Sequence, residues 1–153
     1  MRDFDIQISD QQQVLAVDKK RMRRTIEHVL DRLEVSQAMV SLALVDDAGI
    51  RQLKHRYFGR KEATDVLSFD LRGEERGSVA AGAPDCEVVV NGERAVKVAR
   101  KRGGNPEAEL HLYVVHGLLH QLGYDDQSSL QKQKMHEKED QLLAELGFGK
   151  VYG

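Results

Sequence analysis

The chain of 153 residues lacks the features that mark secreted or membrane proteins. Its single cysteine, Cys86, excludes a disulfide within the chain and is typical of proteins of the reducing cytoplasm. No apolar run approaches the roughly 20 residues of a transmembrane helix, and residues 1–5 lack the apolar core of a signal peptide. We therefore expect a cytoplasmic protein that does not associate with membranes.

The chain also lacks a strong net charge. Its formal charge is −2, so the field of the whole molecule does not indicate nucleic-acid binding. Basic side chains are nevertheless clustered within residues 19–24, 56–61 and 97–102, and acidic side chains within residues 137–140. Such clusters are typical of solvated helix faces, and they also permit an RNA partner.

Apolar patterning predicts four strands. Residues 3–8 alternate between polar and apolar types, whereas residues 39–45 are apolar enough to predict a strand buried on both faces. Residues 63–69 are predicted to form a loop that enters a third strand, and residues 87–91 a fourth strand. Residues 72–85 are rich in glycine and charge, which predicts an exposed, mobile loop.

Helical signals fill the remaining intervals. Five helices are predicted: one begins after residue 46 or 47 and is the second in chain order, and the others cover residues 19–33, 92–102, 106–122 and 129–146. Asp46 or Asp47 caps the second of them, whose apolar residues are Ile50, Leu53 and Tyr57. Strands that alternate with helices predict the α/β class: a single domain over residues 1–153, with a mixed four-stranded sheet and packed helices.

The most informative motif is a pair of histidines, His116 and His120, on the fourth predicted helix. Four residues advance a helix by about 6 Å and turn it by roughly 40°, so both imidazoles leave one face. Gly123 permits a sharp turn that returns Asp126 as a third ligand, and Asp125 is expected to hold that turn together. Three protein ligands with an open position are typical of a catalytic metal site, and this set suits one zinc ion per chain.

Neighbouring positions have different expected roles. Gly117 follows the first histidine, so the glutamate base of the HExxH proteases is absent. His111 lies five residues before His116 and points off the ligand face, which makes it a surface or core residue. His136 is expected to be structural or exposed, and a role as a fourth ligand or as a partner of a ligand stays open.

Three segments carry a family resemblance. Residues 116–126, HGLLHQLGYDD, resemble the signature H-G-x-x-H-x-x-G-x-D-H of the YbeY family, bacterial metal-dependent endoribonucleases also called rRNA maturation factors. Residues 63–69, ATDVLSF, resemble the family segment (P)-T-(D/N)-V-L-S-F. Residues 87–91, EVVVN, resemble its G-D-I-V-I strand.

The resemblance implies a set of site residues. His116 and His120 are implied as metal ligands and catalytic residues, and Asp126 stands where the family has its third histidine. A carboxylate adds negative charge, so it is expected to make the ion a weaker Lewis acid. Single-stranded RNA is implied to lie over the metal near Thr64 and Ser68, whose hydroxyls either bind a phosphate or are satisfied by the backbone.

Other departures from the family pattern concern charge and loop geometry. Phe58 replaces an arginine of the family, so Arg56 or Arg60 becomes the candidate cation that stabilises phosphate charge, and we take Arg60 as the catalytic candidate. Ala63 and Cys86 replace a proline and a glycine, which affects loop geometry more than chemistry. Cys86 is expected to be a small buried residue.

The function implied is that of a metal-dependent single-strand endoribonuclease. It would act in maturation of the small-subunit rRNA 3′ end and in ribosome quality control, with ribosomal RNA, the small subunit and its proteins as partners. Two alternatives stay open. A ribosome-assembly factor with a structural or vestigial metal site would bind RNA without cleaving it, and a zinc peptidase is disfavoured because glutamate is absent at Gly117.

Overall fold

The elements follow the order expected from the sequence. A computed structural model describes residues 2–60, 62–72 and 83–149. Its elements are β1 (Asp3–Asp10), α1 (Lys19–Arg32), β2 (Gln37–Val45), α2 (Asp47–Phe58), β3 (Val66–Asp70), β4 (Asp85–Asn91), α3 (Gly92–Arg102), α4 (Pro106–Gln121) and α5 (Ser129–Glu145). Every predicted strand and helix is present, and each end that the sequence predicts lies within two residues of the observed end.

Two expectations concern residues outside the described ranges. The predicted mobile loop at 72–85 falls largely on residues 73–82, and Lys61 belongs to the second basic cluster; neither is described. Among the residues that are described, no helix has the length and apolar character needed to cross a membrane.

The four strands form one mixed sheet, as predicted. Their order is β1-β2-β4-β3. β1 pairs with β2 and β2 with β4 in parallel, whereas β3 pairs with β4 in the antiparallel direction. β3 therefore forms one edge of the sheet, next to the strand that leads into α3.

The two faces of the sheet are covered unequally. Alternate residues of β2, including Val40 and Leu42, enter the main core with α1, α4 and α5. The opposite face carries a small cluster of Val45, Ile50 and Val89 under α2. β2 is therefore alternately buried and half-buried, and the prediction of a strand buried on both faces is wrong, because α2 covers only part of the second face.

Helix caps account for the accurate helix starts. The carboxylate of Asp18 accepts hydrogen bonds from the backbone of α1, and that of Asp46 accepts one from Gly49 N at 2.8 Å. Within α2, Ile50 is buried but Tyr57 is 59% exposed. Tyr57 is thus not an inward-facing residue, because it lies in the last turn of α2, where its ring contacts that of Phe69 at the sheet edge (ring centroids 5.4 Å apart) and the guanidinium of Arg56 lies over it.

α4 is the central helix and is buried on almost every side. Gly117 lies against the sheet so closely that an added Cβ would stand 2.7 Å from Cγ1 of Val88 and 3.0 Å from Cγ2 of Val66. A larger residue there would push α4 away from β3 and β4. The close contact fixes the end of α4, and with it the position of both histidines.

Candidate metal centre

His116 and His120 converge at the exposed end of α4. Their Nε2 atoms lie 3.1 Å apart, and the two rings meet nearly edge to face with centroids separated by 4.6 Å. The side chains are 22% and 29% exposed, so both reach solvent from a helix that is otherwise buried. The predicted convergence of the pair on one point is present.

The turn after α4 returns a carboxylate to the same point. Gly123 adopts φ +103°, a conformation that favours glycine, and Tyr124 N donates to Leu119 O at 2.9 Å across the turn. Asp126 Oδ2 then lies 3.8 Å from His116 Nε2 and 3.6 Å from Nε2 of the second histidine, His120. Asp125 Oδ1 accepts from the next backbone N–H at 2.7 Å, so it orders the turn as expected.

These three side chains fit a divalent ion. Two ligand atoms about 2.1 Å from a tetrahedral ion lie about 3.4 Å from each other. The three observed separations are 3.1, 3.6 and 3.8 Å, close to that value. His116, His120 and Asp126 are the group of potential metal ligands found among the described residues. The donor set, two imidazoles and one carboxylate, suits zinc and other divalent transition metals.

A buried glutamate orients the first histidine. Glu139 of α5 is 0% exposed, and its Oε2 lies 2.6 Å from Nδ1 of His116. A carboxylate on one ring nitrogen fixes the tautomer that leaves the other nitrogen free to bind metal. In the sequence Glu139 stands in the acidic run of residues 137–140. Its spacing from the buried residues Met135 and Leu142 places it on the apolar stripe of α5. A carboxylate on such a stripe indicates a buried polar partner, and this is the sequence feature that could have identified Glu139.

The charges around His116 change its pKa. Burial acts to lower the pKa of the imidazole, but the hydrogen bond and negative charge of Glu139, with smaller contributions from Asp65 and Asp126, outweigh burial and raise it. The site is therefore electronegative before any ion binds, which favours a cation.

Two other histidines do not join this group. The sequence left open whether His111 is a surface or a core residue. It is a core residue: it is 1% exposed, and its Nδ1 lies 2.8 Å from Thr25 Oγ1. Burial, followed by the positive charge of Arg21, lowers the pKa of His111 to about 4. His136 is half-buried on α5 and lies outside the group of potential ligands in the described part of the chain.

A polar cavity of about 150 Å³ opens beside His116. Arg94 and Arg102 of α3 line it, as do Glu109 and Tyr113 of α4. Glu109 is buried, and burial raises its pKa although its partner Tyr113 and the charge of Arg102 act in the opposite direction. The cavity depends on how α3 packs beside α4, so no pattern within either segment of the sequence predicts it.

The catalytic role of the predicted arginine, Arg60, stays a prediction. Arg60 is an exposed residue just after α2, and no ion pair or hydrogen bond joins it to the three potential ligands in the described part of the chain. Phe58 is 52% exposed and stacks on Phe69 with ring centroids 5.9 Å apart. The cations that line the cavity next to His116 are instead Arg94 and Arg102.

The two hydroxyl residues of the β3 segment have partners within the protein. Ser68 Oγ accepts from Nε2 of Gln121 at 3.0 Å and so ties β3 to the end of α4. Thr64 lies just before β3, and its backbone oxygen accepts from Asn91 Nδ2 at 3.1 Å. Both residues therefore help to position the strand that borders the histidines.

Comparison with known proteins identifies the family. The chain matches the model of the family described as Endoribonuclease YbeY over residues 7–147. It belongs to the YbeY family. The resemblance found in the three sequence motifs is thereby confirmed, and so is the predicted class of enzyme, an endoribonuclease that hydrolyses phosphodiester bonds of RNA.

Several curated YbeY proteins are similar to this chain along most of their own length. "Endoribonuclease YbeY" of Salinibacter ruber is 40% identical over 129 residues, which cover 83% of this chain and 82% of that protein. Those of Syntrophus aciditrophicus and Symbiobacterium thermophilum are 34% and 32% identical and cover 90% and 96% of this chain. The solution structure of TM1509 from Thermotoga maritima superposes with a TM-score of 0.63 at 24% identity, over 94% of this chain and 88% of that one, which supports the YbeY-like fold.

Proposed function

We propose that this YbeY-family chain is a zinc-dependent endoribonuclease that cleaves single-stranded RNA during maturation of the small-subunit rRNA 3′ end. The observation that carries the metal dependence is the spacing of His116, His120 and Asp126, which fits one tetrahedral ion per chain. Family membership supports RNA as the substrate. We propose further that the protein cleaves ribosomal RNA in the cytoplasm and contacts the small subunit and its proteins. We also propose that it takes part in ribosome quality control.

The residues at the metal centre and in the adjoining cavity have different roles in cleavage. A divalent ion, when bound, supplies Lewis-acid chemistry: it activates water as a nucleophile and offsets negative charge at a phosphate. Glu139 holds the His116 ring in the orientation that binding requires. Arg94 and Arg102 line the adjoining cavity, where a guanidinium can stabilise the charge that develops on a phosphate. Arg60, an exposed cation just after α2, is a second candidate for that role.

The position of Gly117 disfavours the peptidase alternative. Its Cα faces Val66 and Val88 of the sheet and not the histidine pair, so a glutamate base has no room there. The second candidate function is a ribosome-assembly factor that binds RNA without cutting it. Asp126 in place of the family's histidine favours that alternative, since a carboxylate weakens the Lewis acidity of an ion.

The test is cleavage of a precursor of the small-subunit rRNA 3′ end by the zinc-loaded protein. A chelated sample and the double variant His116→Ala/His120→Ala run beside it, and His55→Ala, an exposed histidine of α2, is the matched control. We expect cleavage by the wild type and the control only, together with loss of zinc from the double variant. RNA binding without cleavage by any sample would favour the assembly factor.

A further inference from the structure

The cavity beside His116 adjoins a larger one. The second cavity, of about 490 Å³, lies between α2 and α3, and Arg94 and Val98 line both cavities. The two cavities therefore border the same two side chains, and the first of them borders His116. We call this second cavity the α3 groove; its basic lining residues are Arg51, Arg94, Lys97, Arg100 and Lys101.

The α3 groove is strongly cationic although the whole chain is weakly acidic. Its one acidic lining residue, Asp47, is already bound by Lys97 Nζ at 2.8 Å and by Asn91 Nδ2 at 2.7 Å. In the described part of the chain no ion pair engages the remaining cations, Arg51, Arg94, Arg100 and Lys101. Their charge is therefore available to a polyanion.

The cations of α3 form a row and not a single point. Arg94 and Lys101 are spaced at i and i+7, which places them along one face of the helix, with Lys97, already paired with Asp47, between them. Seven residues of α-helix span about 10.5 Å. A row of that length matches a ligand whose negative charges repeat along a line, which is the property of a phosphodiester backbone.

We propose that the α3 groove binds the phosphodiester backbone of single-stranded RNA on one side of the bond held at the metal centre. The proposal rests on the proposed function, because the strand in the groove is taken to be the substrate of the endoribonuclease. In this arrangement the strand leaves the histidines past Arg94, between α2 and α3. Binding there recognises phosphates and not bases, so it is independent of sequence and weakens as salt rises.

A pair of charge reversals tests the groove without requiring catalysis. Arg51→Glu/Lys101→Glu alters two exposed cations of the α3 groove that lie away from the potential metal ligands. The matched control is Lys20→Glu/Arg24→Glu, which reverses two exposed cations of α1 and changes the net charge by the same amount. Fluorescence anisotropy of an unstructured labelled RNA of about 12 nucleotides, with chelator present, reports the affinity at salt concentrations between about 50 and 200 mM.

We expect the groove variant to bind RNA about tenfold more weakly than the control. The plot of the logarithm of the binding constant against the logarithm of the salt concentration should also be less steep by about 1.4, because each of the two lost phosphate contacts contributes about 0.7. Equal affinities and slopes for the two variants would overturn the proposal. So would displacement of the RNA by polyglutamate as readily as by unlabelled RNA, because the groove would then accept an acidic protein equally well. Failure of the proposed function is distinguishable, since it appears as absence of metal-dependent cleavage by the wild type.

Discussion

The buried contact between Glu139 and His116 gives a quantitative test of the metal centre. Glu139→Gln keeps the size of the side chain and a hydrogen-bonding atom for the ring, but it removes the negative charge. Replacing such a partner of a metal-bound histidine typically lowers metal affinity by 10–100-fold. Because Glu139 is 0% exposed and 2.6 Å from the imidazole, water screens the pair little. We therefore expect a loss of about 100-fold in zinc affinity, or about 2.8 kcal/mol.

The assay is competition for zinc between the protein and a chromophoric chelator at neutral pH. Glu137→Gln, an exposed carboxylate on the same helix, is the control and should retain the wild-type affinity. Thermal unfolding of the metal-free proteins separates loss of the ligand geometry from loss of the fold. Wild-type zinc affinity in Glu139→Gln, with affinity still lost in His116→Ala, would refute a role for Glu139 in preparing the site.

Three further substitutions test other parts of the structure. Gly117→Ala should lower stability by about 1–2 kcal/mol in urea unfolding, because its Cβ would meet Val88 at 2.7 Å; an unchanged midpoint would contradict that contact. Asp126→His should keep zinc and raise RNA cleavage about tenfold by strengthening the Lewis acid, and equal rates would mean that the third ligand is not limiting. The unfolded chain takes up a proton at His111 near pH 6.5, whereas the folded chain does so only near pH 4, so stability should fall by up to about 3 kcal/mol as the pH drops through that window. His111→Asn, unfolded with chelator present, should flatten this dependence; an equal slope in the variant and the wild type would show that His111 is not its source.

Local signals in the sequence predict much of the fold and the three potential ligands. His116, His120, Gly123 and Asp126 lie within eleven residues of one another, so helix periodicity and one glycine turn are enough to place them. The helix caps are local in the same way. Asp18 contacts backbone groups only two and three residues away.

Features that depend on packing between distant segments are not predictable in this way. Glu139 is 23 residues from His116, and the contact exists only because α5 lies beside α4. Tyr57 has the right spacing for an apolar stripe, but it is exposed in the last turn of α2 and touches the sheet only at its edge. The cavity lined by Arg94 and Arg102 likewise lies between α3 and α4, so the sequence pattern of either helix alone does not predict it.

The lone thiol has a practical consequence for work on this enzyme. Cys86 lies in β4 at 2% exposure, and burial, followed by the nearby charges of Asp85 and Asp70, raises its pKa to about 12. Thiol reagents attack the thiolate, so at neutral pH the native side chain should stay unlabelled in the folded protein. A cysteine introduced on the surface of α3 can therefore carry a spin label or a fluorophore without first removing Cys86, and the distance from that probe to a labelled RNA can be measured directly.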